Sequence, residues 1–156
     1  MVGQSGREWE KFADEQTECI LLVDAENAFN NLNRKAALAN IKEMCPPFYR
    51  YLHNTYQKPA QLIINDNKKV EVISSNEGCT QGDVTAMALY ALGIKPLIDH
   101  LANSVNRDSC AQCWFADDSS AGGKLREIKQ WWDILQREGP KYGYFPLPKK
   151  TVLIVS

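Results

Sequence analysis

Cys110-Ala111-Gln112-Cys113-Trp114-Phe115-Ala116-Asp117-Asp118-Ser119-Ser120-Ala121 is the stretch on which the reading of this chain turns. Ala111 to Ala116 and Ser119 to Ala121 have strand character, and the acidic pair between them makes a hairpin turn. Carboxylates at the ends of buried strands are costly unless they are paired or metal-bound. Adjacent Asp117 and Asp118 also repel each other, and a divalent cation would remove that repulsion. Taken alone the pair favours an ordinary turn, because Asp is a common turn former.

A second acidic site lies upstream. The apolar run Ile20-Leu21-Leu22-Val23 ends on Asp24. Asp24 and Asp117 can act together only if their strands are neighbours, which the sequence alone does not establish. Two ions roughly 3.5–4 Å apart can stabilise the attacking and leaving oxygens of an in-line phosphoryl transfer. Magnesium prefers oxygen ligands, so a few carboxylates plus substrate phosphates suffice.

Between these sites the pattern predicts a strand at Cys19–Val23 and a helix over Asn31–Met44. Pro46 and Pro47 interrupt it and open a second helix through Tyr56. Gln61–Ile64 and Val70–Ile73 read as a hairpin turning at Asp66-Asn67. A loop, Glu77–Gly82, leads into a long apolar helix over Asp83–Asn103, with Asp83 as its N-cap. The apolar run Val84–Ile94 within it is too short to span a membrane, so no membrane partner is expected. Lys124–Arg137 is amphipathic, Gly139, Pro140 and Gly143 end it, and Thr151–Val155 is a last strand. This order predicts an α+β fold, a mostly antiparallel sheet with helices packed on one face. Residues 1–17 read as an N-terminal extension with a short helix at Glu8–Asp14, and residues 18–156 as one domain.

Composition constrains the function. Hydrophobic residues make up 44% of the 156, enough for a core, and 18 basic residues face 19 acidic ones. A surface that gripped nucleic acid everywhere would be basic, so any such grip is local or lies elsewhere. Five cysteines and no secretory signal point to reduced thiols in an intracellular protein, cytoplasm and nucleus not being distinguished. Cys110 and Cys113 are three apart on a strand and face opposite ways. They read as buried structural cysteines rather than metal ligands.

Four segments, in order, resemble the palm motifs of reverse transcriptases. They are Asp24-Ala25-Glu26-Asn27-Ala28-Phe29, the Gly78-Cys79-Thr80-Gln81-Gly82-Asp83 loop, Phe115-Ala116-Asp117-Asp118, and Gly143-Tyr144-Phe145 followed by Lys150-Thr151. The flavour is similar to retrotransposon and group-II-intron-like enzymes. The resemblance covers residues 18 to 156 and implies a polymerase-palm-like fold.

The resemblance also implies roles. Asp24 and Asp117 would hold two Mg²⁺ or Mn²⁺ ions, Asp118 would assist, and the Ala25 carbonyl would complete one shell. Phe29 would lie under the incoming sugar and exclude a 2′-hydroxyl; by itself it reads as core packing. Gln81 and Gly82 would lie against the incoming nucleotide or template. Lys150 would sit near the leaving pyrophosphate, with Lys149 as the neighbouring candidate; by itself it is a solvated lysine at a strand start. The partners implied are an RNA or DNA template with primer and deoxynucleoside triphosphates. Val84 and Ala86-Met87 depart from the family pattern, which puts the helix start in question. The fingers and thumb of the family are largely absent from these residues.

Two readings remain open at this point. One is the catalytic palm of an RNA-directed DNA polymerase, weak or inactive in isolation. The other is a catalytically incompetent palm acting as a protein- or RNA-binding module. An RNA-making palm is disfavoured by Phe29, and a nucleotide cyclase by the absence of its signature turn.

Overall fold

The computed structural model describes residues 17–66, 69–80 and 82–156. The expected helix at Glu8–Asp14, the side chain of Gln81 and the Asn67 half of the hairpin turn lie outside them. The chain runs through β1 (Glu18–Val23), α1 (Ala28–Asn31), α2 (Arg34–Met44), α3 (Pro46–Tyr56), β2 (Ala60–Asp66) and β3 (Lys69–Ser75). It continues through α4 (Ala86–Ser104), β4 (Cys110–Phe115), β5 (Asp118–Lys124), α5 (Leu125–Glu138), a 3₁₀ turn (Gly139–Tyr142) and β6 (Val152–Val155). Among the described residues no helix is long and apolar enough to cross a membrane.

Four strands form one antiparallel sheet in the order β4-β5-β1-β6. In β1, Cys19, Leu21 and Val23 are buried while Ile20 and Leu22 are exposed. This period-two alternation gives the sheet one covered face and one open face. Leu89, Ile94, Leu97 and Leu101 of α4 and Ile128, Trp131 and Leu135 of α5 supply much of the core. The expected α+β arrangement, helices packed on one face of an antiparallel sheet, is what the chain forms. At one end of the sheet Ser156 N–H donates to the Glu18 carbonyl at 3.0 Å.

Some boundaries differ from the sequence expectation, each for a local reason. The helix expected over Asn31–Met44 is broken at Leu32-Asn33. The Asn33 side chain accepts the Ala36 N–H at 3.0 Å and caps a new helix, α2. Leu32 instead turns into the core. Asp83 is not the N-cap of α4, because the helix begins at Ala86 after Thr85. Its carboxylate accepts the Thr85 N–H and hydroxyl, both at 2.8 Å, and the Tyr56 hydroxyl. Ala116 is not the end of β4 but the first turn residue, with φ +55°. Cys110 and Cys113 do face opposite ways, yet Cys113 is exposed and only Cys110 is buried.

The β2–β3 hairpin is a separate two-stranded sheet, in register from Ala60↔Ser75 to Asp66↔Lys69. Ile63 and Val72 are exposed on one face, Leu62 and Ile73 on the other.

Candidate active site

β1 and β5 are direct neighbours, with Val23 opposite Ser119. That register carries Asp24 to the level of Asp118, where the β4–β5 turn begins. The topology therefore places Asp24 beside Asp118, with β5 between β1 and the strand that leads into Asp117. Asp24, Asp118 and Lys150 line one open cleft of about 440 Å³, together with Phe115, Ser120 and Val152. The cleft lies at the end of the sheet's uncovered face.

The turn that presents the acidic pair is tightly built. Phe115 pairs with Asp118, which leaves Ala116-Asp117 as a two-residue loop. The first position of such a loop takes positive φ and normally carries Gly. Ala116 occupies it at φ +55°. Tyr144, fully buried, braces the turn from beneath. Its hydroxyl donates to the Asp117 carbonyl at 2.9 Å and lies 2.9 Å from Ser119 Oγ. Its ring meets Trp114 edge-on at 5.4 Å. Burial raises the Tyr144 pKa; the Ser119 hydrogen bond opposes this, and the charges of Asp117, Asp118 and Asp24 add to it. The phenol thus stays protonated and remains a donor.

Asp24 is fixed through its main chain. Its carbonyl accepts Leu147 N–H at 2.9 Å, and Glu26 N–H donates to the Phe145 carbonyl at 2.9 Å. These two bonds form the Ala25↔Pro146 bridge and leave the Ala25 carbonyl out of it. The Asp24 side chain pairs with Lys150 Nζ at 3.0 Å. Of the two adjacent lysines, Lys150 is the one at the cleft. Thr151 anchors its segment, its hydroxyl donating to the Leu147 carbonyl at 2.9 Å.

Phe29 lies on Tyr90 of α4, ring centroids 4.6 Å apart and nearly parallel. Its carbonyl accepts Cys79 N–H at 2.8 Å, so the first aromatic and the glycine loop are tied together. Gly78 (φ +73°) is required there: a Cβ would stand 2.5 Å from the Phe29 carbonyl oxygen and 2.4 Å from that of Asn30. Gly82 also has positive φ, +90°, with open space around it. The Tyr90 hydroxyl is buried with no partner among the described residues. Burial, then Tyr144 and Asp117, push its pKa up.

The structure therefore gathers Asp24, Asp118 and Lys150 at the cleft, with Asp117 one residue away in the turn. Phe29 and Gly82 belong to the adjoining Tyr90 and loop region. Among the described residues no three Asp, Glu, His or Cys side chains stand close enough to hold an ion as they are. The Lys150 ammonium is the cation that lies beside Asp24 in this structure. The donor chemistry still suits a hard cation, since it consists of carboxylates and the Ala25 carbonyl, which the bridge to Pro146 does not use. Sequence reasoning named Tyr144 as a motif residue without its bracing role, and did not find Ser119 and Tyr90. The signal it could have used is a tyrosine within an apolar segment, whose hydroxyl needs a partner when buried.

A four-stranded antiparallel sheet with helices behind it, and carboxylates on adjacent strand ends, define a nucleotidyltransferase-type palm. The family description "Reverse transcriptase (RNA-dependent DNA polymerase)" matches residues 4–155, and the chain belongs to that family. Among solved structures it is similar to apo telomerase from Candida tropicalis truncated from its C-terminal domain. The TM-score is 0.77 at 15% identity, over 96% of this chain and 33% of that one. Telomerase from Candida albicans, in complex with a fragment of telomeric RNA, matches with a TM-score of 0.71 at 13% identity, over 98% of this chain and 32% of that one. These likenesses concern the fold, and the chain spans about a third of each. A search of curated protein sequences finds no match.

Proposed function

We propose that this chain is the catalytic palm of an RNA-directed DNA polymerase, which adds deoxynucleotides to a primer 3′ end on an RNA or DNA template. The supporting observation is that Asp24 and Asp118 share one cleft with Lys150, at the ends of neighbouring strands. In this reading the Asp24, Asp117 and Asp118 carboxylates and the Ala25 carbonyl hold the metal ions. Bound there, two Mg²⁺ or Mn²⁺ ions would favour attack by the primer hydroxyl and stabilise the leaving pyrophosphate.

The chain's own groups do the remaining work. Lys150, which pairs with Asp24 in this structure, would supply charge or a proton to the leaving group. Phe29, held flat by Tyr90, presents a ring edge where a 2′-hydroxyl would otherwise fit. Gly82 lets the loop backbone approach the nucleotide closely, and Gln81 lies against that nucleotide or the template strand. The Gln81-Gly82-Asp83 and Lys150-Thr151 signatures favour a retroelement-like origin.

The test is Mn²⁺ titration followed by the paramagnetic resonance of the free ion. Wild type is expected to bind weakly, and Asp24→Asn and Asp117→Asn to bind at least several-fold more weakly. Equal binding by all three proteins would overturn the metal assignment.

A further inference from the structure

A second concave site lies between α2 and α3 and shares no lining residue with the carboxylate cleft. Residues 34–58 carry five Lys or Arg against one Glu, in a chain whose net charge is −1. This segment is therefore locally basic, with Arg34, Lys35, Lys42 and Arg50 on the two helices against Glu43. Between the helices runs a groove of about 520 Å³.

Its two walls differ in chemistry. The α2 wall carries Lys35 and Lys42, seven residues apart and so on the same helix face. The α3 wall carries Tyr49 and His53, four apart, half-buried and in ring contact at 5.2 Å. Leu38 and Ala39 contribute apolar surface between them. Lys42 Nζ already sits 5.8 Å from the Tyr49 ring centre. The other charges in the groove are committed. The Arg34 guanidinium donates to the carbonyls of Gly78, Ser75 and Glu77, and the Glu77 carboxylate accepts the Arg34 N–H. Lys35 has no ion-pair partner among the described residues.

We infer that this groove binds a single-stranded nucleic-acid segment, its phosphates on Lys35 and Lys42 and a base against Tyr49 and His53. The chemistry is specific to such a ligand. Cations alone would suit any anion, and rings alone any apolar group. A wall of each, across an apolar floor, matches a strand with phosphates on one side and bases on the other. Stacking on a ring and neutralising a phosphate read neither sugar nor sequence.

The experiment is fluorescence anisotropy of labelled oligo(U) and oligo(dT) with the full chain, over a range of salt and with EDTA present. EDTA takes the metal-dependent cleft out of the measurement, so the result is independent of whether the chain polymerises. Lys35→Ala/Lys42→Ala is expected to lower the slope of log affinity against log salt by about 1.4, roughly 0.7 for each phosphate no longer neutralised. Tyr49→Leu, which keeps apolar volume but removes the flat ring, is expected to weaken binding about fivefold or more at an unchanged slope. Arg50→Ala removes a charge from the same helix outside the groove, and should leave the slope almost unaltered. Both oligomers should respond alike, and a response of one alone assigns the groove to that sugar. Binding insensitive to Tyr49→Leu overturns the proposal. So does a slope change for Arg50→Ala as large per charge as for the double variant, or no binding of either oligomer.

Discussion

The Tyr144 hydroxyl donates to the main-chain oxygen of Asp117 across 2.9 Å, so a residue 27 positions downstream holds the turn that presents the acidic pair. The same hydroxyl meets Ser119 on the first strand residues after the turn. Tyr144→Phe would leave the buried Ser119 hydroxyl and the part-buried Asp117 carbonyl without this partner. The expected loss is about 1–3 kcal/mol of stability, measured by urea unfolding. A variant as stable as wild type would show that the brace contributes nothing.

Tyr90→Phe should have the opposite sign. Its hydroxyl is buried without a partner among the described residues, while its ring carries Phe29. Removing the oxygen keeps the stack and relieves a desolvated polar group. The expected gain is about 1 kcal/mol. A clear drop in stability in the same urea assay would mean that the hydroxyl is hydrogen-bonded after all, and the reading of this residue would fail.

Stability should also depend on pH through Asp83 and Tyr56. The Tyr56 hydroxyl, then the Thr85 N–H, hold the Asp83 carboxyl below its ordinary 3.8. Burial, then the bond to Asp83, push Tyr56 from 10.0 up to about 12. A depressed carboxyl stabilises the fold fully above 3.8, and the benefit disappears as pH falls through the lower folded value. A raised phenol stabilises it fully below 10.0, and the benefit disappears as pH rises toward about 12. Tyr56→Phe should therefore flatten both limbs of a plot of unfolding midpoint against pH. Parallel acid limbs for wild type and variant would refute the coupling.

The parts of this fold that are legible in the sequence are those with strong periodicity or strong punctuation. The Ile20–Val23 run, the Pro46-Pro47 helix start and the amphipathic α5 all declare themselves locally. The break in Asn31–Met44 turns on a single Asn33 side-chain bond, and the apolar spacing that carried the helix reading passes over it. The start of α4 is hidden for a related reason. Asp83 has the chemistry of a cap, but Tyr56, from another helix, and Thr85 claim its carboxylate. The same division runs through the site. Asp24, Asp118 and Lys150 are named by motif, and their shared cleft is a matter of strand order. Tyr144 stands within a motif, yet its role depends on a bond that no local pattern encodes. Strand alternation places Cys113 opposite Cys110 without saying which face is covered, and the open face of the sheet leaves Cys113 outside.

The hydrogen bond from Ser156 to Glu18 brings position 156 beside the first residue of β1. Asp24 follows the other end of that strand, six residues on, roughly 20 Å away at the usual rise of about 3.3 Å per residue. A label on the side chain at position 156 therefore reports from a full strand's length away from the acidic cleft.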